Sequence, residues 1–293
     1  MIREGATERF QDRNIFIHPA FNEPFRVLKE AYALSYYLPS IALVTGRAGV
    51  GKTTLSKHCE SYINSQPSEY KAHRVQLKSV NSETDIIVQS ARGLFGIPVK
   101  STPAEKLDAF CSSFKNQNYK VLIIDEAQHM LTQLKGKSSQ RYSDFIKVLA
   151  DEGICVLLFG VEDAEKLFTT ENYSLMVKGQ VESRGMARCE MPIIPNLNKI
   201  NGSVNPWEKT INYYLKHCQM PVDIDLTARQ VLNKLFEVTN GNFRALDRIF
   251  TICHLRFESN KADSITEQLL SDVVKVNVTR NKENNPFISL SGN

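Results

Sequence analysis

Residues 46–54 read Gly46-Arg47-Ala48-Gly49-Val50-Gly51-Lys52-Thr53-Thr54, directly after the apolar run Ile41-Ala42-Leu43-Val44. Glycines at this spacing let several backbone N–H groups turn toward one point, and a helix starting there adds its own unpaired donors. Such a segment is built to hold phosphate. Lys52 has the reach to meet the β- and γ-phosphates of a nucleoside triphosphate, and the Thr53 hydroxyl can ligate Mg²⁺. The nine residues together are the candidate site for ATP and Mg²⁺. A second pair of chemistry-bearing residues, Asp125-Glu126, follows the apolar run Val121-Leu122-Ile123-Ile124. That context puts both carboxylates at the C-terminal end of a core strand, where an open α/β sheet binds its ligands. Asp125 is placed to orient Mg²⁺ through water, and Glu126 to polarise an attacking water. A glutamate beside the metal aspartate argues for hydrolysis, since small-molecule P-loop kinases commonly lack it there.

The elements that must position these groups can be read from the same chain. A helix is expected from about Glu23, with Phe25, Leu28 and Tyr32 on one face. Strands are expected at about 41–45, 72–77, 120–124, 154–159 and 187–192, with helices between them. One helix should run from the phosphate loop to about Ile63, and another through Ile86 and Ile87 to Leu94 before Gly96-Ile97-Pro98. Thr102-Pro103-Ala104-Glu105 combines an N-cap, a proline at the first helical position and a capping-box glutamate. Tyr142, Phe145, Ile146 and Leu149 mark another helix by their spacing. Strands alternating with helices imply right-handed crossovers and a parallel α/β sheet.

After residue 192 the pattern changes to helices alone, expected at about 206–217, 227–238, 242–257 and 264–276, with Ser264-Ile265-Thr266-Glu267 as a second capping box. The expected organisation is a flexible N-terminus (1–14), an α/β base (15–195), a small all-helical lid (203–278) and a flexible tail (279–293). The single Trp207 reads as core or lid-base contact. Phe287 and Ile288 are either a docking motif or a segment folded back on its own domain.

Composition sets outer bounds. The chain has 293 residues, 42% hydrophobic and 23% charged, with a formal net charge of +4. That charge neither demands nor excludes a nucleic-acid partner. The longest apolar run, Ile154–Phe159, is far too short to cross a bilayer, and the first residues lack a secretory apolar run. Six cysteines without a CxxC pair read as reduced thiols in a cytoplasmic protein without a zinc site.

The order of parts resembles the AAA+ ATPases, a fold of P-loop NTPases with a parallel sheet core and a small helical lid. The resemblance implies further roles. Gly241-Asn242-Phe243-Arg244 looks like the sensor-two motif, whose arginine, here Arg244, reaches the γ-phosphate. Gln180-Val181-Glu182-Ser183-Arg184, with Arg188 four residues on, falls where these proteins carry an arginine finger that completes a neighbouring subunit's site. Arg184 is the first choice and Arg188 the second. The tip of the fourth strand departs from the pattern: Gly160-Val161-Glu162 stand where Asn, Thr or Ser is usual, and Glu162 either substitutes or caps the next helix. That departure implies slow turnover suited to a switch.

Within that class the chain resembles the TnsC/TniB family of transposition regulators, relatives of MuB, over about residues 14–276. The resemblance rests on Asn14-Ile15-Phe16-Ile17-His18-Pro19, Leu43-Val44-Thr45-Gly46, Ile123-Ile124-Asp125-Glu126-Ala127-Gln128-His129, Leu157-Leu158-Phe159-Gly160 and the four-helix lid. It implies an ATP-loaded homo-oligomer, a ring or helical filament on double-stranded DNA, that links a target-selection protein to a transposase. His18 then falls at the adenine pocket, or packs as an ordinary core residue.

Candidate DNA contacts are Lys135, Lys137 and Arg141 after the third strand, Lys100 and Thr102 before a helix N-terminus, and Lys78 beside the second strand, with Arg74 as its neighbour. For any single one of them a solvated surface charge is the favoured reading, and they matter only as a set on one face. Two other readings of the chain stand beside this one. A replication-initiator or helicase-loader ATPase shares the base and lid, although the 15 residues after Val278 are expected to leave no room for a winged-helix reader. A secretion-linked ATPase would be expected to carry a membrane anchor.

Overall fold

Five strands form one parallel sheet: β1 (Ile41–Thr45), β2 (Lys71–Gln76), β3 (Tyr119–Asp125), β4 (Cys155–Phe159) and β5 (Ala187–Glu190), in the order β2-β3-β4-β1-β5. The computed structural model describes residues 19–131, 138–168, 186–197, 205–218, 220–277 and 285–288. Every residue of β1 and β4 is buried, as expected of central strands covered on both faces. Each of their aliphatic side chains contributes roughly 1.5–3 kcal/mol of burial. The expected α/β class with a parallel sheet is what the chain adopts.

The helices of this unit are α1 (Asn22–Leu34), α2 (Lys52–Asn64), α3 (Glu83–Ala91), α4 (Pro103–Asn116) and α5 (Ser138–Asp151). Single 3₁₀ turns cover Ala127–Met130 and Glu162–Leu167. The Thr102 capping box forms as read: its side chain accepts the Glu105 N–H while the Glu105 carboxylate accepts the Thr102 N–H at 2.7 Å. Helix α3 stops three residues short of the expected Leu94, because the backbone is already extended at Arg92 (φ −62°, ψ 123°).

Grouping by spatial proximity divides the chain into two units, one of Phe21–Ala48 with Lys52–Met191, the other built on the residues from Pro192 onward. The second holds α6 (Pro206–His217), α7 (Arg229–Thr239), α8 (Phe243–Glu258) and α9 (Glu267–Asn277) around Trp207, Ile211, Leu235, Leu246 and Ile249. Trp207 is fully buried, and its indole N–H donates to the Leu232 carbonyl at 3.1 Å. It is a core residue of the helical unit.

The expected capping box at Ser264 does not form. Ile265 instead pairs as an isolated bridge with Val222, and the Ser264 hydroxyl donates to Asp223. Thr266 is the residue whose hydroxyl accepts a first-turn N–H, that of Leu269, at 3.1 Å. Of the apolar pair near the end of the chain, Phe287 folds back into this unit's core at 2% exposure, anchored by Asn285 Nδ2 donating to the Ser271 carbonyl at 2.8 Å. Ile288 stays exposed.

Candidate nucleotide site

The sheet order sets β1, β3 and β4 side by side, so their C-terminal ends bring the two sequence motifs to one edge. The loop leaves β1 at Gly46 and enters α2 at Lys52. Gly49 and Gly51 have φ values of 84° and 103°, a region in which a side chain would be strained, so the loop depends on glycine there. The Lys52 ammonium lies across the loop, donating to the carbonyls of Gly46 (2.7 Å) and Arg47 (2.8 Å). Arg47 in turn sits 3.9 Å from Glu162, the residue weighed as a sensor at the tip of β4. Glu162 therefore faces the loop, and it opens the 3₁₀ turn whose capping position is Val161.

Asp125 ends β3 with its side chain 2% exposed. Burial pushes its carboxyl above the ordinary value, against the pull of a hydrogen bond from Thr53 and the charge of Arg74. The Ser56 hydroxyl is shared between the Thr53 carbonyl (2.9 Å) and Asp125 Oδ2 (3.3 Å), and the Glu126 N–H donates to Asp125 Oδ1 at 3.0 Å. Glu126 itself is left-handed, at φ 60° and ψ 40°. A non-glycine residue held there carries about 1–3 kcal/mol of strain, a feature that concentrates at functional sites.

Thr53, Ser56 and Asp125 offer oxygen donors only, the set that suits Mg²⁺. Among the described residues no group of three or more His, Cys, Asp or Glu side chains could hold a metal. A cation held by one carboxylate, a hydroxyl and the phosphates of a nucleotide needs no such cluster. The residues present fit the group.

Arg74 requires a correction. The sequence places it with Lys78 as a basic flank for DNA, but it lies inside β2 with Nη1 3.2 Å from Asp125 Oδ2 and Nε 3.9 Å from Glu60. It belongs to the carboxylate site. Sequence reasoning also missed Ser56, one helical turn beyond Thr53, and Gln128, which was noted only as part of a motif.

Arg188 is exposed on the edge strand β5, its guanidinium 6.0 Å from the centre of the Phe168 ring. Gly49–Gly51 group with the helical unit, and within that unit the Arg244 N–H donates to the Gly49 carbonyl at 3.3 Å, with the Asn242 side-chain amide against Gly49. Asn242 also caps α8, accepting the Ala245 N–H. Lys78 and Lys100 are exposed, the Thr102 side chain is engaged in its capping box, and Arg141 is paired with Glu83. His18, Lys135, Lys137 and Arg184 lie outside the described residues.

A parallel sheet in this order, with a phosphate loop after β1 and an acidic pair ending β3, defines an AAA+ P-loop NTPase fold. Residues 37–168 match the family model described as an AAA domain. Solved structures agree on the fold. Cdc6p from Pyrobaculum aerophilum is similar with a TM-score of 0.61 at 14% identity, over 89% of this chain and 69% of that one. Domain III of the replication initiation protein DnaA from Thermotoga maritima gives 0.57 at 13% identity, over 90% and 94%. The Aeropyrum pernix Orc1 protein in complex with DNA gives 0.57 at 15% identity, over 89% and 66%. No curated protein matches the chain by sequence. Among the described residues no helix is long and apolar enough to cross a membrane.

Proposed function

We propose that this chain is an ATP-gated, DNA-binding regulator of DNA transposition. It binds Mg·ATP, oligomerises on duplex DNA, links a target-selection protein to a transposase, and disassembles on hydrolysis. The observation that carries the nucleotide chemistry is Lys52 held across its glycine loop, on the same sheet edge as the Asp125–Glu126 pair. In this reading Lys52 meets the phosphates, Thr53 and Asp125 hold Mg²⁺, and Glu126 takes the proton of the attacking water. When bound, the cation neutralises charge on the transferred phosphoryl group. Arg184 or Arg188 acts on a neighbouring copy's site, Arg244 acts as sensor, and His18 borders the adenine.

Transposition itself rests on the motif resemblance. A second reading, a replication initiator or helicase loader, is favoured by the likeness to DnaA, Cdc6p and an Orc1 protein seen in complex with DNA. The flanking genes separate the two: an integrase-type transposase alongside supports the first, a replicative helicase the second. The shared core of both readings has a direct test. Glu126→Gln with Mg·ATP and duplex DNA should accumulate long DNA-bound assemblies in electron micrographs, and their formation should fall steeply with salt. Isolated chains alone under those conditions would contradict it.

A further inference from the structure

We infer that Gln128 is a positioning residue for the hydrolytic Glu126, tying that carboxylate to the tip of β4. The inference rests on the ATPase reading above. Gln128 sits in the 3₁₀ turn just past β3, with its Nε2 donating to Glu126 Oε2 and its Oε1 accepting the Val161 N–H at 3.1 Å. Those two partners fix which way the amide faces. Exchanging oxygen and nitrogen would set an acceptor against the carboxylate and a donor against the Val161 N–H.

The neighbouring backbone is shaped around this bridge. A Cβ on Gly160 would stand 2.5 Å from the Ala164 Cβ, an overlap that forces a shift, and 3.1 Å from Gln128 Oε1, close enough to press on the amide. The Gly160 N–H donates to the Val44 carbonyl of β1 at 3.1 Å. An unbroken path therefore runs from β1, which feeds the phosphate loop, through the tip of β4 and Gln128 to Glu126. Glu126 is gripped at both ends, its backbone N–H by Asp125 and its carboxylate by Gln128. Its left-handed backbone shows that the surroundings, rather than local preference, set its position. A carboxylate that must take a proton from one particular water depends on such placement, since a misplacement of about 1 Å costs on the order of a hundredfold in rate.

The test uses the full chain with Gln128→Ala, Gly160→Ala and Glu126→Gln. Gln128→Ala should lower kcat for Mg·ATP by about ten- to a hundredfold while KM stays within about threefold. Gly160→Ala should act in the same direction. Because Gln128 acts through Glu126, adding Gln128→Ala to Glu126→Gln should change residual single-turnover rates by less than about twofold. Hydrogen exchange at the Val161 amide should quicken in Gln128→Ala, whether or not nucleotide is present. An unchanged kcat in Gln128→Ala, or a loss that multiplies with that of Glu126→Gln, overturns the inference. A wild-type chain without turnover overturns the ATPase reading itself, and equal Val161 exchange in wild type and Gln128→Ala then overturns the bridge as well.

Discussion

Replacing Arg74 by methionine removes the charge that balances a buried carboxylate and keeps most of the side chain's apolar stem. Breaking one partner of a fully buried ion pair costs about 3–5 kcal/mol, because the remaining charge is stranded. Arg74 is 16% exposed and Asp125 2%, so the pair is nearly but not wholly dry. Asp125 also keeps the Ser56 hydroxyl, the Glu126 N–H and Thr53. These soften the loss toward the lower bound, about 3 kcal/mol, or a fall in Tm of about 6–12 °C for a unit of this size. Thermal unfolding by circular dichroism reads it directly. Saturating Mg·ATP should shrink the difference between wild type and variant, since the cation supplies the missing positive charge. Arg74→Met combined with Asp125→Asn should be more stable than the sum of the two single losses by at least about 1 kcal/mol. A Tm change under about 2 °C for Arg74→Met would place the pair among solvent-screened surface bridges and refute the reasoning.

Trp207→Ala should destabilise the helical unit by about 3–5 kcal/mol, since it opens a cavity and removes the indole's hydrogen bond to the Leu232 carbonyl; denaturant titration showing a loss under about 1 kcal/mol would contradict that packing. Burial holds the His73 imidazole below its ordinary pKa of 6.5, so the unfolded chain binds the proton more readily than the folded one. Stability present above that value is therefore lost as pH falls below it, and His73→Gln should flatten this part of the Tm–pH curve; an identical curve in the variant would reject the assignment. Cys59, Cys111, Cys155 and Cys253 are buried, with burial raising the Cys111 thiol to about 11 and Cys155 to about 12. Alkylation of the native protein near neutral pH, read by mass spectrometry, should modify Cys189 and Cys218 and spare those four.

How much of this was legible depends on how far apart the interacting residues lie in the chain. The phosphate loop is contiguous, and its flanking apolar strand and helix could be read beside it. Asp125 and Glu126 were equally readable, because a polar pair after four buried residues marks a strand end. The Thr102 capping box is local and forms as read. Ser264 carries the same pattern and does not cap, because the Ile265–Val222 bridge and the bond to Asp223 hold it outside the helix. The contacts that complete the site are long-range: Arg74 reaches Asp125 across 51 positions, Ser56 across 69, and Gln128 meets Val161 across 33. No local periodicity encodes those distances. Arg74 on a strand reads as a surface charge until the register of β2 on β3, with Gln76 opposite Asp125, brings it to the carboxylate.

The account depends on a nucleotide being held by the loop between β1 and α2, and calorimetric titration of Mg·ATP against the wild-type chain and Lys52→Ala addresses that most directly. Binding of one nucleotide per chain, weakened by at least about a hundredfold in Lys52→Ala, a loss of about 2.7 kcal/mol, is the predicted result. Equal affinity in the two proteins, or no heat of binding in either, would contradict it.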